Sequence, residues 1–132
     1  MEEINFRMSF TQEPIQLDAQ LKALLQPEVA AVLAGGHRFN LPGNMVWHAW
    51  GPDAAPTFVL MHGGSGSWNH WVRNVLPLSE SRAVWTLDTP GLGDSELPSG
   101  AEDADDLSVP LAQGLEALFK ENPVDTVGFS FG

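Results

Sequence analysis

Three short stretches of the sequence carry residue types that could do chemistry, and each follows an apolar run. The most telling is GFSFG (128–132), at the end of the strand-like segment VDTVGF. Such a Gly-x-Ser-x-Gly pattern is typical of a nucleophile elbow, in which the serine occupies a strained turn from a strand into a helix and the glycines keep side chains out of the crossing. The pattern predicts that Ser130 is a nucleophile, and the plainer alternative is a glycine-rich turn with an idle serine.

The second stretch is HGGSGSW (62–68), which follows the apolar run TFVLM. Its glycines allow backbone N–H groups to face a cavity, and an oxyanion hole needs such donors aimed at the charge that develops during acyl transfer. The alternatives are an anion-binding nest and a plain turn between a strand and a helix. We interpret His62 as a structural residue of this loop rather than as a catalytic base.

The third stretch, DTPGLGDS (88–95), raises a hypothesis from another class of protein. Asp-x-x-Gly after a buried strand is also what a GTPase places beside its magnesium ion and terminal phosphate, and GGSGS could pass for a phosphate loop. A phosphate loop needs Gly-x-x-x-x-Gly-Lys-Ser/Thr, because the lysine must reach the phosphates and the hydroxyl must hold the metal. The only lysines, Lys22 and Lys120, follow no glycine loop, so the sequence argues against nucleotide binding.

A metal site is not indicated either. The chain has no cysteine, and its four histidines lack paired metal-ligand spacing; they are His37, His48, His62 and His70. A cluster of carboxylates precedes an expected helix, where negative charge favours the positive end of the helix dipole. We interpret this cluster as a solvated face rather than a calcium loop; its members are Glu102, Asp103, Asp105 and Asp106.

The composition is that of an acidic globular chain, with 43% hydrophobic residues, 17% charged residues and a formal net charge of -11 over 132 residues. Nucleic acids and anionic membranes require faces rich in Lys and Arg. The chain has six such residues, so neither partner is expected. The opening MEEINFRMSF predicts neither a signal peptide nor a membrane span, and a cytoplasmic location is therefore expected.

The first elements of the chain are expected to be helical. Apolar residues at helical spacing predict two short helices. The first carries Leu17, Leu21, Leu24 and Leu25, and the second begins after Pro27. Pro42-Gly43-Asn44 then separates two strand-like runs and predicts a β-hairpin from about Arg38 to Trp50. We therefore expect a helical extension over residues 1–36 and a second unit over residues 37–132.

Strands and helices alternate in the second unit. Apolar runs predict buried strands at 57–61, 83–88 and 124–129, with a helix from Trp68 to about Leu76 between the first two. A second helix, which Ser108 can cap and Asn122-Pro123 ends, carries the apolar stripe Leu107, Leu111, Leu115, Leu118 and Phe119. This order implies an α/β fold with a mainly parallel sheet and the hairpin as an antiparallel edge. The three chemical stretches follow the carboxyl ends of the strands, where such sheets bind ligands.

In this order, FVLMHGGSGSWNHW, LDTPGLGDS and VGFSFG resemble the α/β-hydrolase superfamily, and specifically its lid-bearing serine hydrolases. The resemblance runs from about Arg38 to Gly132. It implies that Ser130 is the nucleophile, that the amides of Gly64 and Phe131 form the oxyanion hole, and that the 88–95 loop shapes and closes the site. No metal or organic cofactor is implied.

The resemblance also implies that part of the family fold lies outside these residues. Family triads run in the order Ser, then Asp or Glu, then His, and only two residues follow Ser130. The match covers about the first five strands of an eight-stranded fold and ends at the nucleophile elbow. Taken alone, the 132-residue chain is therefore expected to be inactive and prone to aggregation, because its last strand would expose an unpaired edge.

The resemblance predicts a serine hydrolase of carboxylesterase type that acts on small, largely apolar esters or related acyl compounds. A haloalkane dehalogenase mechanism is disfavoured because it needs a carboxylate where Ser130 stands, and Ser65 replaces the proline of proline iminopeptidases. Lactone opening, perhydrolysis and carbon-carbon bond hydrolysis remain open. So does a non-catalytic module that keeps the pocket for ligand binding. Trp68, Trp71 and Phe129 could line an acyl pocket or belong to the core.

Overall fold

A six-stranded mixed sheet forms the framework of the described residues. The computed structural model describes residues 11–15, 27–42, 44–53, 56–64, 66–97 and 100–130. In chain order the elements are β1 (Thr11–Pro14), α1 (Pro27–Ala34), β2 (His37–Leu41), β3 (Met45–Trp50), β4 (Thr57–Met61), a 3-10 helix (Trp68–Trp71), α2 (Val72–Ser79), β5 (Val84–Leu87), α3 (Ala104–Phe119) and β6 (Val124–Gly128).

The sheet combines an antiparallel part and a parallel part. Its strand order is β1-β2-β3-β5-β4-β6. The pairs β1–β2, β2–β3 and β3–β5 are antiparallel. In contrast, β4 pairs parallel with both β5 and β6. The two strand-helix-strand crossovers and the antiparallel hairpin confirm the expected fold class.

The N-terminal part contains a strand that the sequence analysis did not predict. Within the stretch expected to be a helical extension, Thr11–Pro14 pairs with β2 and extends the antiparallel part of the sheet. The second expected helix is confirmed as α1, and the first lies outside the described residues. The division of the chain at residue 36 stays a prediction.

The expected hairpin is confirmed as β2 and β3, which pair from His37 opposite Ala49 to Leu41 opposite Met45. Asn44 lies in the connecting turn at a φ of 58°, a left-handed conformation that asparagine tolerates better than most residues.

Helices cover both faces of the central strands, which explains why all six residues of β3 are buried. Alternate side chains of a strand point to opposite faces. One face carries Met45, Trp47 and Ala49 in a cluster with the α3 residues Leu118 and Phe119. The other carries Trp50 in a cluster with Val32 of α1 and Val75 of α2.

Helix boundaries differ in detail from those expected. The turn that begins at Trp68 is a 3-10 helix, and α2 continues to Ser79, past Leu76. Ser108 does not cap α3. The N-cap is Asp103, whose carboxylate accepts the N–H of Asp106 at 3.0 Å, because an aspartate directly before the first turn can reach that donor.

The last strand is exposed, which agrees with the unpaired edge expected for it, although its apolar run alone predicted a buried strand. β6 pairs with β4 on one side, and among the described residues no strand pairs with its other edge. Val127 and Phe129 are 40% and 58% exposed. None of the described helices is both long and apolar enough to cross a membrane.

Candidate active site

Ser130 lies in a strained turn directly beyond β6. The strand ends at Gly128, and Ser130 follows two residues later with a φ of 56°. Non-glycine residues rarely adopt this left-handed conformation, because their Cβ approaches the backbone. Strain at such a position is typical of functional turns, in which the backbone presents one side chain at a fixed angle.

The neighbouring strand brings the 62–67 loop to the same edge of the sheet. Met61 is the ladder partner of Gly128, and the N–H of Phe129 donates to the carbonyl oxygen of Met61 at 3.0 Å. The loop that starts at His62 therefore leaves β4 next to the turn that carries Ser130.

Three hydrogen bonds fix the backbone around Gly63. Its N–H donates to His70 Nδ1 at 3.2 Å. Its carbonyl oxygen accepts the N–H of Gly66 at 3.1 Å and lies 2.7 Å from His62 Nδ1. In a trans peptide the N–H points away from the carbonyl of the same unit, so these contacts also set the direction of the Gly64 N–H.

The Gly64 N–H itself has no hydrogen-bond partner among the residues that the structure describes. Gly64 is exposed and borders a cavity of about 480 Å³. A backbone donor that is fixed in direction, unpartnered and open to a cavity has the character required of an oxyanion-hole donor. The second expected donor, Phe131, lies outside the described residues.

His62 is a structural residue of this loop, which agrees with the interpretation of the sequence. It is 1% exposed, and its Nε2 accepts the N–H of Thr89 at 3.0 Å. The proton therefore lies on Nδ1, which donates to the Gly63 carbonyl oxygen at 2.7 Å. With both ring nitrogens engaged by backbone groups, His62 has no free nitrogen to act as a base.

Asp88 joins the 62–68 loop to the 88–95 loop. Its buried carboxylate accepts the N–H of Trp68 through Oδ1 and the N–H of Asp94 through Oδ2, both at 2.9 Å. Gly93, at a φ of 55°, packs against this carboxylate where a Cβ would overlap it. Ser95 donates to the Asp88 carbonyl oxygen at 2.6 Å. Asp88 thus holds both loops at the carboxyl edge of the sheet.

His48 is a buried imidazole in the core. It is 3% exposed, its ring lies 5.9 Å from that of Trp50 and 5.7 Å from that of Trp68, and its Nδ1 has no partner among the described residues. Burial lowers the pKa of His48 to about 4, although the nearby Asp88 carboxylate acts in the opposite direction. His48 is therefore uncharged at neutral pH.

This pKa predicts a pH dependence of stability. The ordinary pKa of 6.5 applies in the unfolded chain and a pKa of about 4 in the folded one, so the unfolded state binds the proton first. The stabilisation is complete above pH 6.5 and is lost as the pH falls towards 4. Between pH 7 and pH 4.5, we expect the free energy of unfolding of the full-length wild-type protein to fall by about 2 to 3 kcal/mol more than that of its His48→Gln variant.

Urea unfolding of the two proteins at several pH values measures this difference. Comparison with the variant removes the contribution of the carboxylates, which titrate in the same range. Unfolding free energies that change in parallel in both proteins would contradict the assignment to His48.

Two cavities lie at this end of the sheet. The cavity of about 480 Å³ is bordered by Met61, Gly64, Thr89, Pro90, Gly91, Leu92, Leu97, Leu107, Ser108 and Leu111. A second, of about 390 Å³, is bordered by His70, Trp71, Asn74 and Phe129. Trp68 is not among the described residues that border either cavity. It is 8% exposed, and its ring packs in the core against Trp50. Among the described residues, no three His, Asp or Glu side chains come together as metal ligands.

The family of the chain follows from comparison with known proteins. Residues 58–132, which contain all three chemical stretches, match the model of the alpha/beta hydrolase family. The chain belongs to this family. The match begins within β4 and includes both the Gly64 loop and the turn at Ser130.

Individual alpha/beta hydrolases and related proteins resemble the chain in part. A proposed lipase from Acinetobacter baumannii AYE matches 89% of this chain at 26% identity, with a TM-score of 0.68. A membrane phospholipase A, a bacterial virulence factor, matches 86% at 29% identity, with a TM-score of 0.64. The dihydrolipoyllysine-residue acetyltransferase component of the acetoin cleaving system of Pseudomonas putida is 37% identical over 72 residues, which are 54% of this chain.

The chain spans only part of these proteins: 40% and 39% of the two solved structures, and 20% of the Pseudomonas putida protein. The residues that match the alpha/beta hydrolase family model include both Gly64 and Ser130.

Sequence analysis missed the roles of two residues of this alpha/beta hydrolase site. His70 holds the Gly63 N–H, and Asp88 joins two loops. The DTPGLGDS pattern drew attention to Asp88 as the first residue of a loop that shapes the site, but not to its bonds with the N–H groups of Trp68 and Asp94. For His70 there is no sequence signal, because its contact with Gly63 arises from the 3-10 turn that follows the glycine-rich loop.

Proposed function

We propose that this chain carries the nucleophile and the oxyanion hole of a serine hydrolase that acts on small, largely apolar esters or related acyl compounds. The observation that carries the proposal is the juxtaposition at one edge of the sheet of Ser130, at a φ of 56°, and the unpartnered N–H of Gly64. A strained serine beside a free backbone donor is the arrangement that acyl transfer requires.

In the proposed reaction, Ser130 Oγ attacks the carbonyl carbon of the ester. A histidine base accepts the hydroxyl proton and passes it to the departing alcohol, which leaves an acyl-enzyme on Ser130. Water then attacks the acyl group by the same route and releases the acid. The N–H groups of Gly64 and Phe131 donate to the oxygen that carries negative charge in both steps.

The base would come from the part of the family fold that this chain does not span. Family triads place both the acid and the histidine after the nucleophile in the chain. Two histidines of this chain, His62 and His48, are unsuited to act as the base. His62 has both nitrogens engaged, and His48 is buried against Trp50 and Trp68.

The lining of the cavity that Gly64 borders favours the binding of an apolar acyl group. Most of its lining is aliphatic, with Met61, Leu92, Leu97, Leu107 and Leu111 among its residues. Its volume of about 480 Å³ lies within the range of small-molecule pockets. Two of the similar structures are named for lipase and phospholipase A activity, which favours ester chemistry over lactone opening, perhydrolysis or carbon-carbon bond hydrolysis.

The test is hydrolysis of p-nitrophenyl acetate, butyrate, octanoate and palmitate by the full-length protein. We expect saturable turnover, with kcat/KM highest for a short or medium acyl chain. Saturable binding of these esters without turnover would contradict the proposal and would instead indicate a ligand-binding module. Turnover that does not depend on Ser130 would contradict it as well.

A further inference from the structure

The imidazole of His70 lies between the Gly64 loop and the turn that carries Ser130. Its ring meets those of Phe129 and His62 edge-on, each at a centroid distance of 5.9 Å. Gly66 packs so closely against the ring that a Cβ at this position would overlap it. His70 therefore contacts both the loop after β4 and the residue before Ser130.

Gly63 depends on its neighbours for its conformation. Glycine has no side chain to restrict φ and ψ, so its backbone adopts many conformations at similar cost. The peptide unit after Gly63 is held through its carbonyl oxygen by Gly66 and His62. The unit before Gly63 is held through its N–H by His70 Nδ1 at 3.2 Å. Holding the unit before Gly63 as well restricts rotation about the φ and ψ of Gly63, and so adds to the constraint on the direction of the Gly64 N–H.

We propose that His70 is a positioning residue of the oxyanion hole. By accepting the Gly63 N–H, it holds Gly63 in the conformation that directs the Gly64 N–H at the substrate oxygen. It also keeps the Gly63 N–H from rotating into the site as a misplaced donor. This inference rests on the proposed function of Ser130 and Gly64. His70 acts through the backbone and does not exchange a proton with Ser130.

Two variants of His70 in the full-length protein separate the hydrogen bond from ring packing. His70→Asn keeps an acceptor, because Asn Oδ1 takes nearly the place of His Nδ1, but loses the ring. His70→Phe keeps a ring against Phe129 but loses the acceptor. We expect His70→Phe to lower kcat for p-nitrophenyl butyrate by about 10-fold, because small misplacements of catalytic groups are costly, with KM within about 2-fold. We expect His70→Asn to retain kcat within about 3-fold of wild type.

The inference is overturned if His70→Phe keeps the wild-type kcat, or if His70→Asn loses as much as His70→Phe, since ring packing would then explain the effect. Hydrogen exchange at the Gly63 amide provides a readout that does not require turnover. Exchange should be slow in wild type and His70→Asn and faster in His70→Phe, and equal rates in all three would also overturn the inference.

If His70→Phe fails to fold by circular dichroism, His70→Ala with added imidazole replaces it. Imidazole can enter the opening left by this exposed side chain and supply the acceptor, and an absence of rescue would count against the inference. Failure of the proposed function has a different signature, because either the wild type would show no turnover or Ser130→Ala would keep it, whatever the His70 variants do. If Ser130→Ala is inactive and His70→Phe is not impaired, only the role of His70 is wrong.

Discussion

Replacing Ser130 by alanine in the full-length protein is expected to lower kcat for p-nitrophenyl butyrate by at least about 10⁴-fold. The variant lacks the oxygen that forms the acyl-enzyme, and loss of a triad nucleophile removes nearly all the rate that the triad supplies. Alanine also tolerates the left-handed φ of 56° no worse than serine, so the fold should survive. Steady-state kinetics and thermal unfolding of both proteins measure the two effects.

Ser79→Ala is the matched control. Ser79 lies at the end of α2, where its hydroxyl donates to the carbonyl oxygen of Leu76 at 3.0 Å. The same chemical change at this position should leave kcat and KM within about 2-fold of wild type, since the hydrogen bond of this hydroxyl lies within its own helix. Equal losses in the two variants, or residual turnover of a few per cent in Ser130→Ala, would mean that Ser130 is not the nucleophile.

Replacing Gly64 by proline should lower kcat by about 10²-fold to 10³-fold, which is the usual cost of removing one oxyanion-hole donor. Proline has no N–H, so it removes the donor that borders the cavity of about 480 Å³. The loss should appear mainly in kcat, because the donor binds the transition state more strongly than it binds the ester. Kinetics with p-nitrophenyl butyrate measure both constants.

Gly64→Ala is the matched control for this prediction. It retains the backbone N–H and adds only a methyl group, so the oxyanion donor is kept. We expect a loss of no more than about 5-fold, in line with the modest cost of a tolerated glycine substitution. A proline variant that folds, as judged by circular dichroism, and matches the alanine variant in kcat would place the oxyanion donors elsewhere.

Sequence pattern was sufficient for the parts of the fold that short-range signals specify. The hairpin turn at residues 42–44, the apolar runs and the spacing of leucines in α3 each act within a few residues. Together they indicated the order of strands and helices, and the carboxyl edge of the sheet followed from that order. The structure places Ser130 just beyond β6, which is where the order of strands and helices predicted it.

The features that sequence reasoning missed depend on contacts between distant segments. The residues TQEP (11–14) lack a strand pattern and form β1 because the free edge of β2 pairs with them. The apolar run VDTVGF alone predicted burial, but burial requires neighbours on both sides, and among the described residues β6 has only β4; the unpaired edge itself was expected from the resemblance, not from the local pattern. Asp88 likewise reaches across 20 residues to the N–H of Trp68. Local patterns do not encode such pairings.

The most direct test of the central claim is covalent labelling of the full-length protein with a fluorophosphonate, followed by mass spectrometry of the peptide that contains Ser130. A fluorophosphonate reacts with a serine only when it is activated and an oxyanion hole stabilises the phosphoryl oxygen. We predict one label per chain, on Ser130, lost in Ser130→Ala and slowed in Gly64→Pro. A label on a different residue would contradict the account. So would ester turnover by a protein whose Ser130 the fluorophosphonate does not label.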